Sequence, residues 1–113
     1  MANLRNRVQL VGNLGMDPEV KAFDNGRKLA KFTLATNESF IGANGQERTE
    51  TQWHNIIAWG KQAEIAQKYL QKGNEVAIEG RLTHRQYEDK DKQTRYVTEV
   101  VLSSYVIFPD FKK

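Results

Sequence analysis

The chain has 113 residues, with 17 Lys and Arg against 14 Asp and Glu, a formal net charge of +3, and no cysteine. That length suits one compact domain and is short for two. The composition excludes a disulfide framework and a thiolate metal site, and no apolar run approaches the roughly 18 to 20 residues of a membrane span.

The first residues, Met1 to Asn6, carry no apolar leader, which reads as a cytoplasmic protein. Arg7 to Val11 alternates in polarity and stops at Gly12-Asn13, the pattern of a strand. Glu19 to Phe23 is a short second run, closed by the turn dipeptide Asn25-Gly26. Lys28 to Thr36 places Ala30, Phe32 and Leu34 on one face and Lys31 and Thr33 on the other. A hairpin-like polar excursion with Gly42, Asn44 and Gly45 follows, and Thr51 to Trp59 returns as an aromatic and β-branched strand.

Lys61 to Lys72 changes period. Ala66, Tyr69 and Leu70 fall at helical spacing, with Ile65 beside them and Gly73 as the stop signal. The spacing predicts one helix of about three turns. Glu75 to Tyr87 is a long strand, with Val76, Ile78 and Leu82 inward and Glu79, Arg81, Thr83, Arg85 and Tyr87 outward. Gly80 inside it allows a bend. Glu88 to Gln93 is a charged tip, and Thr94 to Leu102 is the last long strand. The predicted fold is all-β with one short helix: an OB fold, a five-stranded Greek-key barrel with the helix between strands three and four. One domain spans 1–108 and a short C-terminal end spans 109–113.

No catalytic constellation is present. The chain lacks a Walker-type phosphate loop and a Gly-x-Ser-x-Gly elbow. Glu88, Asp89 and Asp91 cluster, but Lys90 and Lys92 interleave with them, so they read as a solvated tip and not a metal site. His54 and His84 lie too far apart for a local zinc motif. The reading is therefore of a non-enzyme without metal or cofactor.

The rings carry more information. Trp53 and Trp59 are six residues apart, so a regular strand sets them on one face, roughly 20 Å from each other. That is too far for mutual stacking and suits two platforms along one groove. Tyr87 shares a charged face with Arg85, Thr83 and Arg81, where base stacking would explain a large ring. Packing stays open as an alternative for the tryptophans, and more so for Phe40, which has no polar tip. His54 alternates away from Trp53 and points to the opposite face.

Several stretches together resemble the bacterial single-stranded DNA-binding protein (SSB) family. They are Val11-Gly12-Asn13-Leu14-Gly15-Met16-Asp17-Pro18-Glu19, Leu34 to Phe40, Trp53-His54-Asn55-Ile56-Ile57-Ala58-Trp59-Gly60-Lys61, Tyr69 to Gly73, Ile78 to Leu82, and Tyr96 to Val101. The resemblance implies an OB fold, a homotetramer, and protection of single-stranded DNA with little sequence preference in replication, recombination and repair, at the nucleoid. It implies base stacking on Phe40, Trp53, Trp59 and Tyr87, phosphate contact by Lys61, Lys72 and Arg85, and a subunit contact at His54. The family commonly carries Trp at the positions of Phe40 and Tyr87, and Phe at that of Trp59; each place here keeps a ring. The family's acidic tail, which recruits replication and repair proteins, has no counterpart in Phe108-Pro109-Asp110-Phe111-Lys112-Lys113, which puts that route of recruitment in question. The rival reading is an OB-fold protein-interaction module of the replication machinery.

Overall fold

The structure is a computed structural model, and it describes the backbone of residues 5–107 and side chains up to residue 104. The expected C-terminal end, 109–113, lies outside the described residues. In chain order the elements are β1 (Val8–Leu14), β2 (Glu19–Ala22), β3 (Lys28–Ile41), β4 (Glu47–Trp59), α1 (Lys61–Tyr69), β5 (Glu75–Glu88) and β6 (Thr94–Ile107). The sheet order is β1-β5-β6-β4-β3-β2, and a further β1–β3 pairing closes it. Five strands thus form the barrel, and β2 adds a short edge strand beside β3. With β2 counted, the helix follows the fourth strand in chain order; among the five barrel strands it follows the third.

Alternation sets the core. Ala30, Phe32 and Leu34 of β3, Ile56 and Ala58 of β4, Val76 and Ile78 of β5, and Val100 and Leu102 of β6 are all buried. Each fully buried large side chain contributes about 1.5 to 3 kcal/mol, so these decide the fold. The exposed Arg7–Glu79 pair contributes no more than about 1 kcal/mol.

The helix covers one end of the barrel with Ala63, Ala66 and Leu70, all buried. It is shorter than the periodicity suggests. Leu70 is already extended, at φ −102° and ψ 142°. The turn after it is held from outside: Lys72 N–H donates to Asp17 Oδ1 at 2.8 Å, and Gly73 N–H to the Leu14 carbonyl at 2.9 Å. Those contacts outweigh another helical turn. Tyr69, expected on the packed face, is 61 % exposed because Leu70 fills that place.

The two middle strands run further than their apolar residues. The β3–β4 ladder continues in one register from Leu29–Trp59 to Ile41–Glu47. Main-chain hydrogen bonds carry it, and Thr51 Oγ1 adds a bond to Asn37 Oδ1 at 2.6 Å. The hairpin-like excursion is a hairpin turning at 42–46, with strands longer than expected on both sides.

The bend expected at Gly80 is present as a register shift between Glu79 and Gly80 against β6. Ser103 is the extra residue, lying between Leu102, opposite Gly80, and Ser104, opposite Glu79. Its carbonyl accepts from Gln62 Nε2 of the helix at 2.8 Å. Leu82 keeps the inward parity of Val76 and Ile78 but is 38 % exposed. Among the described residues the β1–β5 ladder ends at Val8–Gly80, so β1 does not reach Leu82. Asn6 continues the pairing there with its side chain, which accepts from Leu82 N–H and donates to the Leu82 carbonyl.

The β5–β6 tip is closed by Asp89. Arg95 Nε donates to Asp89 Oδ2 at 2.8 Å, and the backbone N–H groups of Asp91 and Gln93 donate to Oδ1. The Arg95 bond first, then the Gln93 N–H, hold the Asp89 carboxyl below its ordinary pKa. A depressed carboxylate stabilises above its unfolded pKa and loses that contribution as pH falls through the folded one. The tip is expected to stay closed at neutral pH and to loosen below about pH 4. Amide chemical shifts of Asp91 and Gln93 followed through an acid titration check this.

Candidate nucleic-acid interface

Directly opposed residues in a ladder share a face. The register therefore defines the outer surface of β3 and β4: Leu29 with Trp59, Lys31 with Ile57, Thr33 with Asn55, and Ala35 with Trp53. The parallel β4–β6 pairing sets Asn55 beside Glu99, and the β5–β6 ladder adds Thr83 opposite Glu99, Arg85 opposite Val97 and Tyr87 opposite Arg95. One continuous surface thus carries Trp53, Trp59 and Tyr87.

A cleft of about 470 Å³ lies in that surface, lined by Met16, Lys31, Asn55, Ile57, Arg85 and Tyr87 among others. Asn55 and Ile57 stand between Trp53 and Trp59 on the same face of β4, so the indoles flank the cleft along that strand. Trp53 is 62 % exposed and Tyr87 47 %. Neither ring is sealed in the barrel.

Trp53 is seated and not merely projecting. A Cβ at Gly15 would lie 2.3 Å from Trp53 Cζ3 and 2.8 Å from Thr33 Oγ1. Gly15 N–H donates to the Thr33 carbonyl at 3.0 Å, fixing the segment under the indole. The missing side chain at Gly15 leaves the room that the ring occupies.

Trp59 is the most covered of the four predicted rings, at 36 % exposure. Phe23 stacks on it with centroids 6.1 Å apart and planes at 25°. The Arg27 guanidinium sits 4.5 Å from its centroid. Phe23 and Arg27 were not among the sequence candidates. Phe23 ends the alternating run Glu19 to Phe23 beside a turn, a place where an exposed ring is the available signal.

Phe40 lies elsewhere. It opposes Arg48 and has the parity of Phe32 and Leu34, so it occupies the other face of the β3–β4 arm from Trp53. There it is 47 % exposed, since the arm has left the barrel. Tyr96, 79 % exposed and opposite Gln86, holds the equivalent face of the β5–β6 arm. Tyr96 was not among the sequence candidates for the site.

The three predicted cations differ. Arg85 donates from Nε and Nη2 to the two carboxylate oxygens of Glu99 at 2.9 and 3.0 Å. Glu99 is 5 % exposed, the one buried charged side chain among the described residues. Its hydrogen bond raises the Arg85 pKa further, so that guanidinium stays charged. Most of the positive charge of Arg85 is therefore cancelled locally. Lys61 is exposed at the first residue of α1, two residues beyond Trp59, and Lys72 is exposed in the turn held by Asp17.

His54 is half-buried and bonds Thr36 Oγ1 through Nε2 at 3.0 Å, on the face opposite Trp53 as expected. Among the described residues no group of three or more His, Asp or Glu could hold a metal ion. Among them, too, no helix is long and apolar enough to cross a membrane.

The barrel has close structural counterparts. It is similar to the Plasmodium falciparum SSB in its complex with single-stranded DNA, at 30 % identity and a TM-score of 0.85, covering 96 % of this chain and 99 % of that one. It is also similar to a deletion mutant of the single-stranded DNA binding protein from Thermus aquaticus, at 28 % identity and a TM-score of 0.82, covering 94 % of this chain and 51 % of that one. The model of the Single-strand binding protein family matches residues 5–108, which include every strand of the barrel and all the rings of the cleft. This chain therefore belongs to the Single-strand binding protein family, whose members bind DNA without catalysing a reaction.

Proposed function

We propose that the chain protects single-stranded DNA with little sequence preference by laying the strand along the cleft between Trp53 and Trp59. As a family member it binds single-stranded DNA. The observation that carries the detailed reading is the exposure of Trp53 and Tyr87 on one β-surface beside Lys31 and Arg85. Every base presents a π-face, so ring stacking does not depend on sequence.

Lys61 and Lys72 supply phosphate-neutralising charge around the cleft. Arg85 keeps three of its five N–H donors beyond those given to Glu99, so it serves as a fixed hydrogen-bond donor more than as free charge. Phe40, with Arg48 across the ladder, serves a strand that wraps to the far side of the arm. Four such subunits form a homotetramer, with His54 near a subunit contact. The exposed Val11 on the outer face of β1 supports association of chains. Its setting is replication, recombination and repair at the nucleoid.

Binding the single strand and not the duplex shifts the melting equilibrium by mass action. Oligo-dT is expected to quench tryptophan fluorescence strongly, with an affinity that falls as salt rises. Equal affinity for a duplex of the same length would overturn the reading.

A further inference from the structure

The cleft's rings and cations leave out two side chains that touch Trp59. Phe23 and Arg27 stand on the two limbs of the turn between β2 and β3. They are fixed to each other, since Phe23 N–H donates to the Arg27 carbonyl at 2.8 Å. Asn25 Oδ1 accepts from Arg27 N–H at 3.0 Å and rigidifies the turn. From this frame Phe23 stacks on the indole and Arg27 lays its guanidinium against it.

Charge separates Arg27 from Arg85. Arg85 is neutralised by Glu99, whereas Arg27 forms none of the ion pairs found among the described residues. Among the described residues its only ring contact is with Trp59, and its side chain is exposed. An uncancelled guanidinium on an aromatic surface can give a phosphate two parallel hydrogen bonds without losing an internal partner. Phe23, 38 % exposed on a polar turn, lies over the indole and continues the stack with its own ring.

We propose that Phe23 and Arg27 form a nucleotide-contact element at the Trp59 end of the cleft. Phe23 extends the stacking platform, and Arg27 binds the phosphate of the nucleotide stacked there. The inference rests on the reading of Trp59 as a stacking platform.

The test is a fluorescence titration of the full chain with oligo-dT at several salt concentrations, using F23A, F23L, R27Q and R27K. F23A is expected to lose about tenfold in affinity. F23L, which restores bulk without a flat ring, is expected to lose nearly as much. R27Q should lower the magnitude of the salt slope by about 0.7, and R27K should restore it. If F23A unfolds, F23L and R27Q decide. Wild-type affinity and slope in F23L and R27Q, while W59A binds weakly, would overturn this element and leave the parent reading standing. Wild-type affinity in W59A as well would remove the Trp59 platform and this inference with it.

Discussion

Replacing Trp53 with alanine is expected to weaken oligo-dT binding by about 1 to 3 kcal/mol, roughly 5- to 150-fold, while leaving the fold intact. The physical reason is the indole's position. It is 62 % exposed, so its removal takes little apolar area out of the core. Yet Gly15 and Thr33 beneath it hold it in place, so a base meets a surface whose ordering is already done. Preorganisation of that kind lowers the entropic cost of binding. Stability should change by less than about 1 kcal/mol, and the mass of the assembly in solution should stay that of the wild type. Trp53→Phe should retain part of the affinity. If Trp53→Ala instead breaks the assembly while each chain still binds oligo-dT normally, Trp53 is an interface residue and the protein-interaction reading gains.

Gly12→Ala is expected to produce the largest loss of stability among single-methyl additions to the barrel. A Cβ there would lie 2.2 Å from the Ala35 carbonyl oxygen and 2.9 Å from its carbon. Both are backbone atoms and cannot swing aside. The position lies beside the β1–β3 closure, where Asn13 opposes Ala35 and Leu14 opposes Leu34. Overpacking a core costs about 1 to 3 kcal/mol when side chains can yield. With backbone on the receiving side, a cost at or above the upper end, about 3 kcal/mol, is expected. That is a large share of the roughly 5 to 15 kcal/mol that holds a small domain. Urea unfolding of the variant checks it, and a midpoint equal to the wild type would show that the strands can separate freely at this point. Gly80, whose Cβ would lie 2.3 Å from the Val101 carbonyl oxygen, should behave similarly.

Trp53 and Gly12 differ in how far the local chain reveals their surroundings. Trp53 stood out in the sequence as a ring on an alternating strand, and its exposure agrees with that reading. Gly12 read only as a strand end, because nothing local reports that another strand's carbonyl approaches within contact distance. Leu82 makes the same point from the other side. Its parity was legible, but its exposure depends on where β1 stops pairing, a fact about a segment more than seventy residues away.

By itself the sequence determined the strand periods, the shared face of Ala30, Phe32 and Leu34, the inward positions of Val76 and Ile78, and the place of the helix. These follow from alternation and composition, which act over a few residues. Tertiary structure decided the rest. Pairing across distant strands put Trp53, Trp59 and Tyr87 on one surface and Phe40 on another. Packing placed Glu99 under Arg85 and cancelled its charge, while the β2–β3 turn brought Phe23 and Arg27 onto Trp59. Which charge is free and which ring is open depends on neighbours far off in the chain, and only closure of the barrel brings those neighbours together.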